Sequence, residues 1–143
     1  MKTLYLVAFI LPCVLFSLPL HAEEAAIQPQ TQGEVTFVSG GVGIDERNEL
    51  NAIRANYNLS LLFSVQGTGD YLSDVKIRIT DLKGNVFLET VSDGPKLFAK
   101  LPPSRYIVTV DLNGETYHKT VSVQGKQNTS LSFAWSQKIE NEN

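Results

Sequence analysis

The chain has 143 residues, 43% of them hydrophobic and 19% charged, with a formal net charge of −3 at pH 7. A single cysteine excludes an internal disulfide framework, and one cysteine with two histidines is a thin ligand set for a zinc centre. The mildly acidic balance, with signs interspersed, gives no electrostatic reason to seek nucleic acid, and none is expected as a partner.

Lys2 supplies a short positive start, and Leu4 to Leu18 is almost continuously apolar. Pro19 ends that run before "LHA", with the small Ala22 preceding the acidic pair Glu23 and Glu24. This is the layout of a secretory signal peptide over residues 1–22. A membrane-spanning anchor is the rival reading. It is disfavoured because the run is short and contains Pro12, whereas a span wants about 20 apolar residues. Cys13 follows Pro12 rather than a small residue, which is a poor fit to a lipid-attachment cysteine. Cleavage after Ala22 removes both Cys13 and His21, leaving His118 as the one histidine. The expected address is therefore exported and periplasmic, with secretion as the alternative and no membrane helix after cleavage.

Residues 23–34, "EEAAIQPQTQGE", are polar and without periodicity, as in a flexible lead-in. "VTFVS" (35–39) is a short β-branched strand. From Asp45 to about Asn56, Leu50, Ile53 and Tyr57 recur at helical spacing, which predicts a helix over about 45–56 with one apolar stripe. Strand patterns follow. "LSLLFSVQ" (59–66) puts Leu59, Leu61, Phe63 and Val65 on one face, and "DVKIRIT" (74–80) alternates Val75, Ile77 and Ile79 with Lys76 and Arg78. "DLKGN" turns the chain into "VFLETV" (86–91), and "SDGP" breaks it before "KLFAKL" (96–101). "YIVTVDL" (106–112) and "ETYHKTVSV" (115–123) flank Asn113-Gly114, a hairpin signal suited to positive φ at both turn positions. "TSLSFAW" (129–135) is the last strand, with Trp135 assigned to the core, and residues 137–143 form a polar tail. Strands punctuated this often predict a mainly β domain over 35–136. The expectation is a single antiparallel β-sandwich of about seven strands with one short N-terminal helix. A closed barrel satisfies the same pattern.

The stretch "VKIRITDLKGNVFLETVSDGPKLFAKLPPSRYIVTV" (75–110) resembles carboxypeptidase regulatory-like domains, small sandwiches of prealbumin (transthyretin-like) architecture. Asp81, Gly84, Gly94, Leu101, Pro103 and Tyr106 match the pattern, and Ser104 stands where the family usually has Gly. "SGGVGIDERNELNAIRANYNLSLLF" (39–63) is similar to the amino-terminal half of small exported bacterial proteins that carry this domain. The resemblance extends over about 35–124 and implies a structural or binding module. In that setting Gly84 and Gly94 are expected where turns need unusual backbone angles, and Pro103 where φ is fixed on entry to a strand. Tyr106 is expected to bury its ring and bond its hydroxyl back to the chain.

The remaining motifs point away from chemistry. "GGVGIDER" (40–47) has the glycines of a phosphate-holding loop but lacks the Gly-Lys-Ser/Thr ending. Asp45, Glu46 and Glu49 already answer the helix dipole there, with Asp45 expected as N-cap. Asp70, Asp74 and the "SDG" at Ser92–Gly94 are not spaced as a calcium loop. His118 lies on the alternating face of Thr116, Thr120 and Ser122 and is expected in solvent, and no serine stands in a nucleophile elbow. No catalytic, cofactor-binding or metal-ligating residue is expected. Lys96, Phe98 and Lys100 share one strand face, an aromatic between two lysines, and form the candidate partner contact. The expected function is a non-catalytic interaction or accessory module in the cell envelope, meeting another envelope protein or a glycan through a sheet face or edge strand. A glycan- or peptidoglycan-binding module is the alternative, and a hydrolase a distant third.

Overall fold

The structure is a computed structural model that describes residues 27–137. The expected leader with Cys13, the first residues of the lead-in and the tail from 138 onward lie outside the described residues. Nine strands, one α-helix and a 3-10 turn follow in chain order. They are β1 (Gln30–Gln32), β2 (Val35–Gly40), α1 (Ile44–Ile53), the turn Arg54–Asn56, β3 (Leu59–Val65), β4 (Lys76–Asp81), β5 (Val86–Val91), β6 (Lys96–Lys100), β7 (Ser104–Leu112), β8 (Glu115–Val123) and β9 (Thr129–Trp135). One sheet, A, has the order β1-β2-β6-β3-β9, and the other, B, has the order β5-β4-β7-β8. No helix among the described residues is long and apolar enough to cross a membrane.

Period-two alternation builds the core between the sheets. Leu59, Leu61 and Phe63 from sheet A face Ile77, Ile79, Val108 and Val110 from sheet B, all of them buried. Lys76 and Arg78 take the opposite, exposed face of β4. Trp135 is buried in this core, as its spacing predicts, and its indole N–H donates to the Glu115 carbonyl. The hairpin between β7 and β8 turns at Asn113 (φ 53°) and Gly114 (φ 85°), the positive pair its sequence calls for.

Three expectations are corrected. The sandwich is not wholly antiparallel: β3 and β9 run parallel in continuous register from Leu59↔Thr129 to Val65↔Trp135. After β8 the chain crosses from sheet B to sheet A and enters beside the start of β3, where the Thr129 N–H meets the Asn58 carbonyl. Alternation identifies a strand but not its direction. Second, the lead-in contains structure. Gln30–Gln32 pairs with β2 around Gly33 (φ 56°), so residues 30–34 belong to an edge hairpin. Third, Gly94 is demanded by proximity rather than by backbone angle. A Cβ there would sit 2.3 Å from the Gly40 carbonyl oxygen, whereas Gly84 does turn at φ 87° with open space around it.

The two sides of the sandwich are each clipped by one polar side chain. On the β1/β5 side, the Gln32 carboxamide accepts from the Glu89 N–H at 2.7 Å and donates to the Glu89 carbonyl at 3.2 Å, standing in for a neighbouring strand. On the β8/β9 side, Lys119 shares the inward parity of Tyr117 and Val121, lies over the Phe133 ring and donates to the Ser132 carbonyl. An inward lysine on an edge strand is a known protection against edge-to-edge pairing.

Replacing Gly94 by alanine is expected to cost about 3 kcal/mol, because backbone rather than a flexible side chain must yield. Gly84→Ala is expected to cost about 1 kcal/mol from its positive φ alone. Urea denaturation midpoints of the two variants check the order.

Candidate functional site

Sheet A has an outer face, turned away from sheet B, and α1 covers only half of it. The helix begins at Gly43 (φ 97°), which serves as N-cap without a side-chain hydrogen bond. Asp45 is therefore not the cap. It sits in the first turn with Glu46, whose carboxylate accepts from the Gly41 N–H at 2.8 Å. That bond uses a loop N–H of the kind a phosphate would need. From this start, Leu50 and Tyr57 drop onto Val38 and Phe98 of β2 and β6, making a second, smaller apolar cluster beneath the helix.

Phe98 is accordingly only 3% exposed and packs its ring 6.1 Å from that of Tyr57. It cannot be the surface aromatic expected between two lysines. Its alternation put it on the face opposite Leu97 and Ala99, which is right, but that face is roofed by α1. The two lysines are separated as well, since four residues along a strand place their backbones about 13 Å apart. Lys100 lies at the far end beside Tyr57, Asn58, Lys126 and Asn128. Lys96 lies at the near end and donates to Asn51 Oδ1 on the helix at 3.4 Å.

The turn residues serve folding. Tyr106 is buried and its hydroxyl donates to the Pro102 carbonyl, four residues back, while burial raises its pKa. Pro103 immediately precedes β7, which starts at Ser104, and Ser104 needs no positive φ. Asp81 closes the Gly84 turn by accepting from the N–H groups of Lys83 and Asn85, each at 2.9 Å. His118 is exposed on the outer face of sheet B. Among the described residues there is no group of three or more His, Cys, Asp or Glu that could hold a metal ion.

The uncovered half of the sheet A face forms a cleft of about 150 Å³. Its floor is Ser60 and Leu62 of β3 beside Ser130 and Ser132 of β9, paired in register across the parallel ladder. Its wall is Asn51 of α1 and Arg54 of the turn that continues it. Arg47, one turn earlier, completes an i, i+4, i+7 stripe on the same helix face. Arg54 reaches down to Ser130 Oγ at 2.6 Å and to Asn128 Oδ1 at 3.4 Å. Arg47 donates to the Gly41 carbonyl at 3.2 Å and stacks over Tyr71, whose ring is 52% exposed. An isolated bridge between Ser64 and Tyr71 places that ring beside the end of β3.

Electrostatically, the two outer faces differ. Across sheet B, Arg78 stands opposite Glu89, and Lys76 opposite Asp111, so signs alternate from strand to strand. Beside the cleft, the hydrogen-bond partners of Arg47, Arg54 and Lys96 are neutral oxygens. Burial, then the charges of Arg47 and Arg54, lowers the Lys96 pKa below its ordinary value. A positive cluster this close together favours a negative ligand.

The helix-face spacing of Arg47, Asn51 and Arg54 was a usable signal in the sequence. The floor was not, because it depends on the parallel pairing of residues about seventy apart in sequence, such as Leu62 and Ser132. Compared with protein-family models and with curated proteins, the chain finds no match.

Phe98→Ala is expected to destabilise the fold by about 3–5 kcal/mol, since it empties the cluster under α1. Lys96→Gln is expected to change stability by less than about 0.5 kcal/mol. Thermal unfolding of both variants separates a packing residue from a surface one.

Proposed function

We propose that the chain is a non-catalytic interaction or accessory module of the bacterial cell envelope, built on a carboxypeptidase regulatory-like, prealbumin-type sandwich. The leader-like segment at 1–22 supports the envelope address, and the resemblance over 75–110 supports the module class. The observation that carries the reading is the cleft itself. A helix is held across half of one sheet face, and the remaining half is left as a small-residue floor rimmed by cations. The turn residues shared with the resembled domains are occupied with folding, and contact is assigned to this cleft for its combination of hydroxyl floor and basic rim.

Contact through a sheet face is favoured over strand addition. An added strand on the β5 edge would have to displace Gln32 from Glu89, and one on β9 would meet Lys119 at the Ser132 carbonyl. Both clips lie on the edges that addition would need.

The test is to place a bulky side chain on each outer face. Ser132→Tyr fills the cleft floor, and Thr120→Tyr puts the same ring on the outer face of sheet B. Immobilised protein carrying Ser132→Tyr is expected to lose at least about tenfold of the envelope component that the unaltered chain retains, and Thr120→Tyr to keep it. Loss with Thr120→Tyr and retention with Ser132→Tyr would overturn the assignment.

A further inference from the structure

We propose that the cleft beside α1 binds an acidic glycan, with one sugar ring on the serine floor and its oxyanion substituent turned toward Lys96 and Arg54. This rests on the reading of the cleft as the contact surface and adds the class of ligand. Three features of the cleft select it.

Size comes first. At about 150 Å³ the cleft is smaller than the roughly 300–1,000 Å³ of a drug-sized pocket, and it is open rather than enclosed. It suits one unit of a linear polymer laid along the face.

The second feature is the chemistry of the floor. Ser130 and Ser132 alternate along β9 and flank Leu62, presenting hydroxyls that both donate and accept beside one aliphatic patch. A pyranose ring offers the complementary set of ring hydroxyls and C–H faces. A peptide laid here would find shallow apolar anchorage, because Phe98 and Leu61 line the cleft but are only 3% and 1% exposed, and a backbone on a sheet face meets no open ladder. Past Leu62, the exposed Tyr71 ring beside Ser64 offers a flat surface on which a neighbouring sugar can stack.

Charge is the third. Arg54 and Lys96 approach the cleft from opposite elements and are held by Ser130 and Asn51, so an entering oxyanion meets donors already in place. The acidic residues of α1, Asp45, Glu46 and Glu49, stand on helix positions other than the Arg47–Asn51–Arg54 stripe, and Glu46 is engaged with the Gly41 N–H. A chain with a net negative charge has thus gathered positive charge around this small cleft.

Calorimetric titration of protein expressed from the whole chain tests this with four probes: an oligogalacturonate, a glycan phosphate polymer, a neutral oligogalactose and polyglutamate. Binding of either acidic glycan, without binding of the neutral one or of polyglutamate, is the expected result, and the arm that binds identifies the oxyanion. Lys96→Gln and Arg54→Gln are each expected to weaken it roughly tenfold, the loss of one charge-assisted hydrogen bond. Lys96→Arg is expected to retain it, and Lys83→Gln, at the exposed β4–β5 turn, to leave it unchanged. Polyglutamate binding as tightly as the acidic glycans, or an equal loss with Lys83→Gln, would overturn the proposal. If no glycan binds while Ser132→Tyr still abolishes retention of an envelope component, the ligand class falls and the interaction module stands. If both fail, both readings fall.

Discussion

Everything distinctive about this sandwich hangs on the seating of one short helix. Ten residues are too few to hold helical structure alone in water. Nor is α1 capped by a side chain at its start. What keeps it in place is the burial of Leu50 and Tyr57 against Val38 and Phe98, with Glu46 and Arg47 fastening its entry to the two polar groups of Gly41. Remove that small cluster and the wall of the cleft goes with it. Phe98 therefore shapes the cleft from beneath: packed under α1, it fixes where Arg54 and Asn51 stand.

The scaffold beneath is built to be rigid and to present few open edges. Gly40 and Gly94 pass so closely that a single methyl would collide with backbone, which locks the end of β2 against the entry to β6. Asn58, buried, continues the pairing where the strands part: its carboxamide donates to the Leu101 carbonyl and accepts from the Leu101 N–H. Asn128 does similar work at the mouth of β9, donating to Tyr57 and accepting from Ser60. With Gln32 closing one side and Lys119 the other, the sandwich offers its surroundings faces rather than edges.

Much of the fold was legible because most of the chain obeys one rule at a time. Alternation placed the strands, Asn113-Gly114 marked its hairpin, and the three-and-four spacing of Leu50, Ile53 and Tyr57 located the helix and its buried stripe. The failures share a cause. Phe98 reads as an exposed aromatic only if its sheet face is open, and that depends on where a helix fifty residues upstream comes to rest. The parallel β3–β9 pair, the Gln32 clip and the Gly40–Gly94 contact all join distant segments, and no local pattern encodes them. Asp45 was misplaced for a smaller reason, since Gly43 supplies the N-cap and displaces the acid into the first turn. The cleft combines both kinds of information: its basic wall is periodic and readable, whereas its floor exists only once β9 has crossed to lie beside β3.

The most direct measurement of the central claim is a map of backbone amide shifts as an oligogalacturonate is titrated into the labelled protein. The largest changes should fall on Leu62, Lys96, Ser130 and Ser132 and along the Arg47–Arg54 face of α1, with the amides of Thr109, His118 and Thr120 on sheet B unmoved. Changes centred on sheet B, or spread evenly over the surface, would contradict the claim that the half-covered face of sheet A is where this protein makes contact.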